Sequence, residues 1–284
     1  MEISKVGVVG CGIMGSGIAQ VCAQSGYQVV VSEINDELLN KGLSSINSSL
    51  AKSVDKGEIS PPDKDSISGR IKGTTALEDF SNCDLVIEAI VENLEAKKKV
   101  FAQLDRICSP HTILATNTSV IPILNMASQT SRPDKVVGLH FSNPVPVMKI
   151  VEMVRTIAAS DQTMERAKKF VSSLGKTYVI ARDTPGFIIA RLLTPFVLDA
   201  IRMLEAGMAT KEDIDTAIHL GLNHPMGPLT LSDMVGIDTI YFAASAIYEE
   251  TKDARYAPPP LMKQMVIAGW LGRKTGKGFY EYGK

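Results

Sequence analysis

Near the start of the chain, Gly10-Cys11-Gly12-Ile13-Met14-Gly15 stands between a short apolar run and a helical pattern. Residues 5–9 read as a buried strand, 13–25 as a helix with Ile18, Val21 and Cys22 on its inner side, and 27–32 as a second strand closed by Glu33. A G-x-G-x-x-G motif in that setting predicts a dinucleotide-binding turn. The first glycine permits the tight turn, the second lets a pyrophosphate approach the backbone, and the third lets helix and strand pack closely. The helix N-terminus, with Ile13 and Met14 as its first residues, turns free N–H groups and a positive dipole end toward the phosphates. Glu33 stands where an acid meets the adenosine ribose diol. Its charge would repel a 2′-phosphate, and Ile34 and Asn35 follow it instead of arginine, so NAD is favoured over NADP. The plain alternative is a glycine-rich turn with no cofactor, which leaves the acid at the end of the second strand unexplained.

The 284 residues suggest two domains or one large one, and a 45% apolar content is enough for real cores. A net charge of −1 and sparse aromatics argue against a nucleic-acid partner. No apolar stretch is long enough to span a membrane. Met1-Glu2-Ile3 passes straight into the first strand, so neither a signal nor a transit peptide is expected. Cys11, Cys22, Cys83 and Cys108 show no C-x-x-C spacing and read as reduced, mostly buried thiols. No metal is expected, and a cytoplasmic protein is the simplest reading.

Strand and helix alternate through the first two thirds of the chain. After Glu33 a helical pattern covers residues 36–56, with Leu38, Leu39, Ile46 and Leu50 as candidate core positions. Gly57 and Pro61-Pro62 break it, and a second helical stretch follows over 63–70. This excursion is longer than a plain crossover needs. Residues 84–90 read as a buried strand, 94–107 as a helix with Val100, Phe101 and Leu104 facing in, and 112–116 as a strand. Short strands over 136–141 and 150–154 flank a Pro-rich loop, then come a helix over 163–174 and a last strand over 178–181. The expected fold is α/β: a Rossmann-type, doubly wound, mostly parallel sheet. At Asp183-Thr184-Pro185-Gly186 the pattern changes to helical periodicity alone, over 187–206, 211–220, 229–248 and 261–268. Residues 1–184 are therefore expected to form an NAD-binding domain and 185–284 an all-helical C-terminal domain. The abundant Leu, Met, Ile and Phe of that second part either bury in a homodimer or serve its own core.

His140 ends the run VVGLHF and leads into Ser142-Asn143-Pro144. Strand C-terminal ends in an open α/β sheet face the cofactor crevice, and histidine takes up a proton near neutral pH without strong tuning. A single histidine is more often structural than catalytic; this placement favours catalysis. His111 in a turn, His219 in a helix and His224 in a Gly/Pro-rich loop read as structural or exposed. Glu152 interrupts an otherwise apolar strand, where an unpartnered acid costs several kcal/mol. It either points to solvent from an edge strand or pairs with His140, orienting the ring and stabilising its imidazolium. Asn117 and Ser119 follow another strand end; they either hydrogen-bond a bound carbonyl or cap a helix before Ile121.

The glycine turn, EAIVENLEAK at 88–97, ATNTS at 115–119, GLHFSNPVPVMKIVE at 138–152, DTPGFI at 183–188, HPMGPLTLSDMVGID at 224–238 and the final GRKTGKGFYEY span nearly the whole chain. In these segments the sequence resembles the 3-hydroxyacyl-CoA dehydrogenase family, and is most similar to its bacterial members acting on (S)-3-hydroxybutyryl-CoA. The resemblance implies an oxidoreductase interconverting (S)-3-hydroxybutyryl-CoA and acetoacetyl-CoA with NAD(H), in butyrate or fatty-acid metabolism. It implies His140 as the base that takes the 3-hydroxyl proton, with Glu152 paired to it. Ser119 would hydrogen-bond the substrate oxygen, and Asn143 would lie beside nicotinamide and substrate. Glu92, Lys97 and Lys274 match positions that help hold NAD. Ser49, Lys52 and Lys56 lie in the helical excursion that the family uses for CoA, where ammonium groups suit a 3′-phosphate. Their plain alternative is a solvated helix face. The family's C-terminal domain commonly carries a dimer contact.

One position departs from the family pattern. Where it normally reads Asn-Arg-Leu-Leu, this chain has Ala190-Arg191-Leu192-Leu193. The missing amide would help orient the substrate, so the resemblance implies weakened binding or turnover, as in an impaired or engineered variant. Two other functions fit the residues less well. A hydroxy-acid dehydrogenase acting on a free polyol acid would not need the CoA-facing lysines. A non-catalytic NAD-binding structural dimer, as lens crystallins drawn from this superfamily are, would not need Ser119, His140 and Glu152 together.

Overall fold

The chain divides into two units, Met1–Thr184 and Pro185–Lys284; the computed structural model describes residues 2–283. In the first unit, β1 (Lys5–Val9), β2 (Gln28–Ser32), β3 (Ile71–Thr74), β4 (Leu85–Glu88), β5 (Ile113–Thr116), β6 (Val136–Phe141), β7 (Ile150–Arg155) and β8 (Thr177–Arg182) build one sheet. Its order is β3-β2-β1-β4-β5-β6-β7-β8. Neighbouring strands run parallel except β6 and β7. The connections carry α1 (Ile13–Gln24), α2 (Asp36–Asp55), α3 (Pro61–Gly69), α4 (Leu94–Ile107), α5 (Leu124–Ala127) and α6 (Asp161–Ser173).

This is the doubly wound, Rossmann-type sheet that the strand–helix alternation predicts. Every residue of β4 and β5 is buried, and each strand is apolar up to its last residue, Glu88 and Thr116. After β1 the chain adds β2 and β3 on one side, then crosses to add β4 and its successors on the other. The strand order thus reverses between β1 and β4, and the crevice at their C-terminal ends receives the glycine turn and Glu33. Local chemistry sets the helix starts. Asn35 accepts from the Leu38 N–H to begin α2, and Ser60 and Asp63 cap α3 reciprocally, with proline in its first turn.

In this unit three details differ from what the residue pattern predicts. Leu39, Ile46 and Leu50 join the core, but Leu38 lies one residue off that stripe of α2 and is exposed. β3 carries no apolar run in Ile71-Lys72-Gly73-Thr74, and its pairing to β2 at the sheet edge makes it a strand. Val100 is only half-buried, while Phe101 and Leu104 are fully inside.

The second unit is helical: α7 (Ile189–Glu205), α8 (Lys211–Gly221), α9 (Pro228–Val235), α10 (Ile237–Thr251) and α11 (Pro260–Ile267). Val197, Leu198, Ile201, Leu229, Ile240 and Met262 belong to its core. The apolar period over 229–248 predicts one helix, but Gly236 at φ 106° breaks it into α9 and α10. Phe187, expected in the first helix of this unit, precedes α7 and takes φ 45°. Among the described residues no helix is long and apolar enough to cross a membrane. All four cysteines are free and buried.

Candidate active site

The glycine turn can be tested for a dinucleotide from its own geometry. Gly10 takes φ 97°, and a Cβ there would lie 2.7 Å from the Ala89 carbonyl oxygen. A Cβ on Gly15 would lie 1.8 Å from the Gly10 carbonyl oxygen, so α1 meets the end of β1 backbone to backbone. A Cβ on Gly12 would meet nothing within 4 Å. Two glycines therefore close the turn, while the third leaves open space beside the backbone where a pyrophosphate would approach. No side chain caps α1 at Gly12, so its first-turn N–H groups suit an anion. Glu33 Oε1 accepts the Cys11 N–H at 2.7 Å and Oε2 accepts the Ile34 N–H at 3.1 Å. The acid at the end of β2 thus braces the turn itself. The Cys11 thiol stays protonated at neutral pH, because burial, reinforced by the Glu33 charge, pushes it up to about 11. These residues fit NAD.

A second constellation stands at the C-terminal end of β6. The antiparallel register sets His140 opposite Glu152 on one face of the sheet. His140 Nδ1 donates to Glu152 Oε2 at 2.7 Å, and Ser119 Oγ lies 3.0 Å from His140 Nε2. An ionised carboxylate only accepts, so Nδ1 carries the proton and Nε2 of the neutral ring is an acceptor. Glu152 is 1% exposed, which removes the solvent-facing alternative. Asn117 is committed elsewhere: its Oδ1 accepts the Phe141 N–H at 2.9 Å, prolonging the contact between β5 and β6. The Thr118 hydroxyl accepts the Ile121 N–H at 3.0 Å, and Asp183 accepts from Ile123 and Leu124 at 2.8 Å each. Residues 117–123 are accordingly a braced loop, and the helix begins only at Leu124. Asn143 lies exposed in the turn after β6, joined by a cis peptide bond to Pro144.

Glu92 and Lys97 are placed differently from one another. Lys97 is 1% exposed, with its ammonium 2.7 Å from Glu88 Oε1 and 3.2 Å from Glu92 Oε2. Its ammonium is paired with two carboxylates at a position where the resemblance implies a contact to NAD. Glu92 Oε1 accepts the N–H groups of Ser119 at 3.0 Å and Val120 at 3.3 Å, and the Thr118 hydroxyl. Burial works to raise the Glu92 carboxyl, but Lys97 and these donors hold it below the usual glutamate value.

Ser49, Lys52 and Lys56 recur at helical spacing along the second half of α2 and its C-cap. Ser49 lines a groove with Ser16, Gly17, Ser45, Asn143 and Val145, while Lys52 and Lys56 are exposed. Lys274 and Ala190 belong to the second unit. Lys274 Nζ donates to Asp238 Oδ2 at 2.6 Å, and Ala190 is half-buried in the first turn of α7.

One positioning residue escapes sequence reading. Lys176, just before β8, is 8% exposed and donates to the carbonyl oxygens of Val145 at 2.7 Å and Met148 at 2.6 Å. Both carbonyls belong to the loop between β6 and β7. Burial holds this ammonium below the usual lysine value. A lone lysine ahead of a strand reads as surface, and only the fold brings that loop over it.

A family model described as the NAD binding domain of 3-hydroxyacyl-CoA dehydrogenase matches residues 5–184, and one for the C-terminal domain of the same enzyme matches 186–282. The chain is 48% identical over 282 residues to a 3-hydroxybutyryl-CoA dehydrogenase of Mycobacterium tuberculosis, covering 99% of each. It is 45% identical to a probable 3-hydroxybutyryl-CoA dehydrogenase of Bacillus subtilis, covering 99% of this chain and 98% of that one. Among solved structures, the (S)-3-hydroxybutyryl-CoA dehydrogenase of Ralstonia eutropha matches with a TM-score of 0.96 and 44% identity over the whole of both chains.

Proposed function

The chain belongs to the 3-hydroxyacyl-CoA dehydrogenase family, an NAD-dependent enzyme family, and on that premise we propose that it interconverts (S)-3-hydroxybutyryl-CoA and acetoacetyl-CoA. The observation that carries this reading is the chain of contacts Ser119–His140–Glu152 on the same edge of the sheet as the glycine turn.

In oxidation, His140 Nε2 takes the proton of the substrate 3-hydroxyl as the C3 hydride departs; in reduction it returns that proton to the oxygen. Glu152 keeps Nδ1 protonated and offsets the imidazolium charge that results. Ser119 directs its hydroxyl at the substrate oxygen, and Asn143 orients the reacting carbon. When bound, NAD supplies the hydride acceptor; Gly10, Gly12, Gly15, Ile13, Met14 and Glu33 would hold it, with Glu92, Lys97 and Lys274 at further positions that the family uses for it. Lys52 and Lys56 would meet the CoA 3′-phosphate as point charges, with Ser49 beside them. The reading includes a place in butyrate or fatty-acid metabolism, a homodimer and a cytoplasmic setting; four free, buried thiols suit a reducing compartment.

Ala190 reduces the rate in this account, because a methyl cannot replace the amide that the family has there. The test is NADH oxidation with acetoacetyl-CoA, run beside the Ala190→Asn variant. Both turn over, and the variant is faster by roughly 5- to 150-fold, the equivalent of about 1–3 kcal/mol for one recovered hydrogen bond. Equal rates would remove Ala190 from the account. No turnover by either protein, with NADH still bound, would sink the substrate assignment and leave the free-acid dehydrogenase and the non-catalytic binding protein as the readings.

A further inference from the structure

On the reading of the substrate as an acyl-CoA, we infer that Gln20 is a specificity residue whose side-chain amide hydrogen-bonds an amide of the arm joining the CoA nucleotide to the thioester. Gln20 sits in the middle of α1 among Ile18, Ala19, Val21 and Cys22, and is 2% exposed. A glutamine at such depth is ordinarily hydrogen-bonded to the protein, because burying an unpaired amide costs free energy. The Gln20 amide has no such partner among the described residues. It is not sealed in either: the fully enclosed, unpartnered side-chain polar atoms among those residues belong to Arg166 and Asp238. The little surface that Gln20 keeps therefore includes its amide, and it opens on the groove that Ser49 and Asn143 also line.

The chemistry of that groove selects its occupant. Ile13, Gly17 and Gln20 line it from α1, at the spacing of one helix face. A Cβ on Gly17 would lie 2.9 Å from Val145 Cβ, so the loop between β6 and β7 rests directly against the helix beside Gln20. Ile46 of α2 adds a further apolar wall. No charged side chain lines the groove among the described residues, which does not suit a phosphate or a free carboxylate. A slender, uncharged chain suits it, with an amide at Gln20. A carboxamide offers an acceptor in Oε1 and donors on Nε2, the complement of the N–H and C=O of a secondary amide. The arm of CoA is such a chain, with secondary amides set between methylene groups. Its ends have places already: Asn143 beside the reacting carbon, and Ser49 with Lys52 toward the 3′-phosphate. Asn143 and Ser49 share one groove with Gln20, so an arm that joins them passes its amide. In the free protein the amide is left to water, which the arm displaces on binding.

Gln20→Met tests this, because methionine keeps the length of the side chain, adapts to its surroundings and removes both donor and acceptor. Binding titrations, which need no turnover, compare CoA with 3′-phospho-ADP, the same nucleotide without the arm. The variant should bind CoA about fivefold or more weakly than the wild type, as an amide left without its partner requires. It should bind 3′-phospho-ADP and NADH within about twofold of the wild type, and its kcat/KM with acetoacetyl-CoA should fall with the CoA affinity. Since the amide holds nothing in the protein, the ligand-free variant should melt no lower than the wild type. Gln20→Leu must show the same pattern if the methionine variant does not fold. Equal CoA affinity in wild type and variant, equal weakening of CoA and 3′-phospho-ADP, or a lower melting temperature in both variants would overturn the inference and leave the acyl-CoA reading intact. A wild-type chain that binds no CoA would sink that reading, and the inference with it.

Discussion

Glu152 shows how much one residue's meaning depends on what faces it. As a letter in an apolar strand it is an anomaly; opposite His140 it is the acceptor that sets the tautomer of the ring. Glutamine at this position would still accept from Nδ1–H but would bring no charge to meet the imidazolium. Glu152→Gln should therefore lower kcat by about 100-fold, within the range that a positioned general base contributes, and leave NADH affinity unchanged. Steady-state kinetics and a fluorescence titration of NADH check this, and an unaltered kcat would remove Glu152 from the chemistry. Lys97 carries the opposite lesson. Its position in the motif suggests a cofactor contact, and nothing in the motif shows that its side chain is buried between two carboxylates.

Among elements, the β6–β7 hairpin departs from the parallel rule, and that departure builds the catalytic pair. A parallel neighbour would have to follow a long crossover; an antiparallel one needs only the short loop 142–149, and residues twelve apart in sequence come to face each other. Within the loop the Pro144 carbonyl accepts the N–H groups of Val147 and Met148, at 3.0 and 2.9 Å. Lys176 ties two of the loop's carbonyl oxygens from below, and Lys176→Met would leave both without that donor. We expect a loss of roughly 1.5–3 kcal/mol, the usual worth of a hydrogen bond to a charged group, together with faster proteolytic cleavage within 142–149. Urea unfolding and timed digestion measure both, and wild-type behaviour in each would show that the clamp is dispensable. The break between α9 and α10 is likewise a backbone matter, since apolar periodicity continues through Gly236 while its φ of 106° does not belong to a helix.

At the scale of the whole molecule, the helical second unit leaves Met208, Leu220, Leu222, Phe242 and Ile267 exposed. Scattered exposed side chains are ordinary; as these come from a unit rich in large apolar residues, we expect a homodimer through that unit. Sedimentation equilibrium at micromolar concentration should give twice the chain mass of 30.6 kDa; a single-chain mass would overturn the dimer. By itself the sequence determined the class of fold, the glycine turn with its acid, the switch to helix after Asp183 and the candidate base His140. Those features are local: they depend on periodicity, on the steric freedom of glycine and on strand-end position, each readable within a few residues. Only the tertiary structure decided that Glu152 faces His140, that Asn117 braces a strand, that Lys97 turns inward to two carboxylates, and that Lys176 holds a loop. Such pairings join groups distant in the chain, and a charged side chain looks the same in sequence whether it ends in water or beneath a sheet.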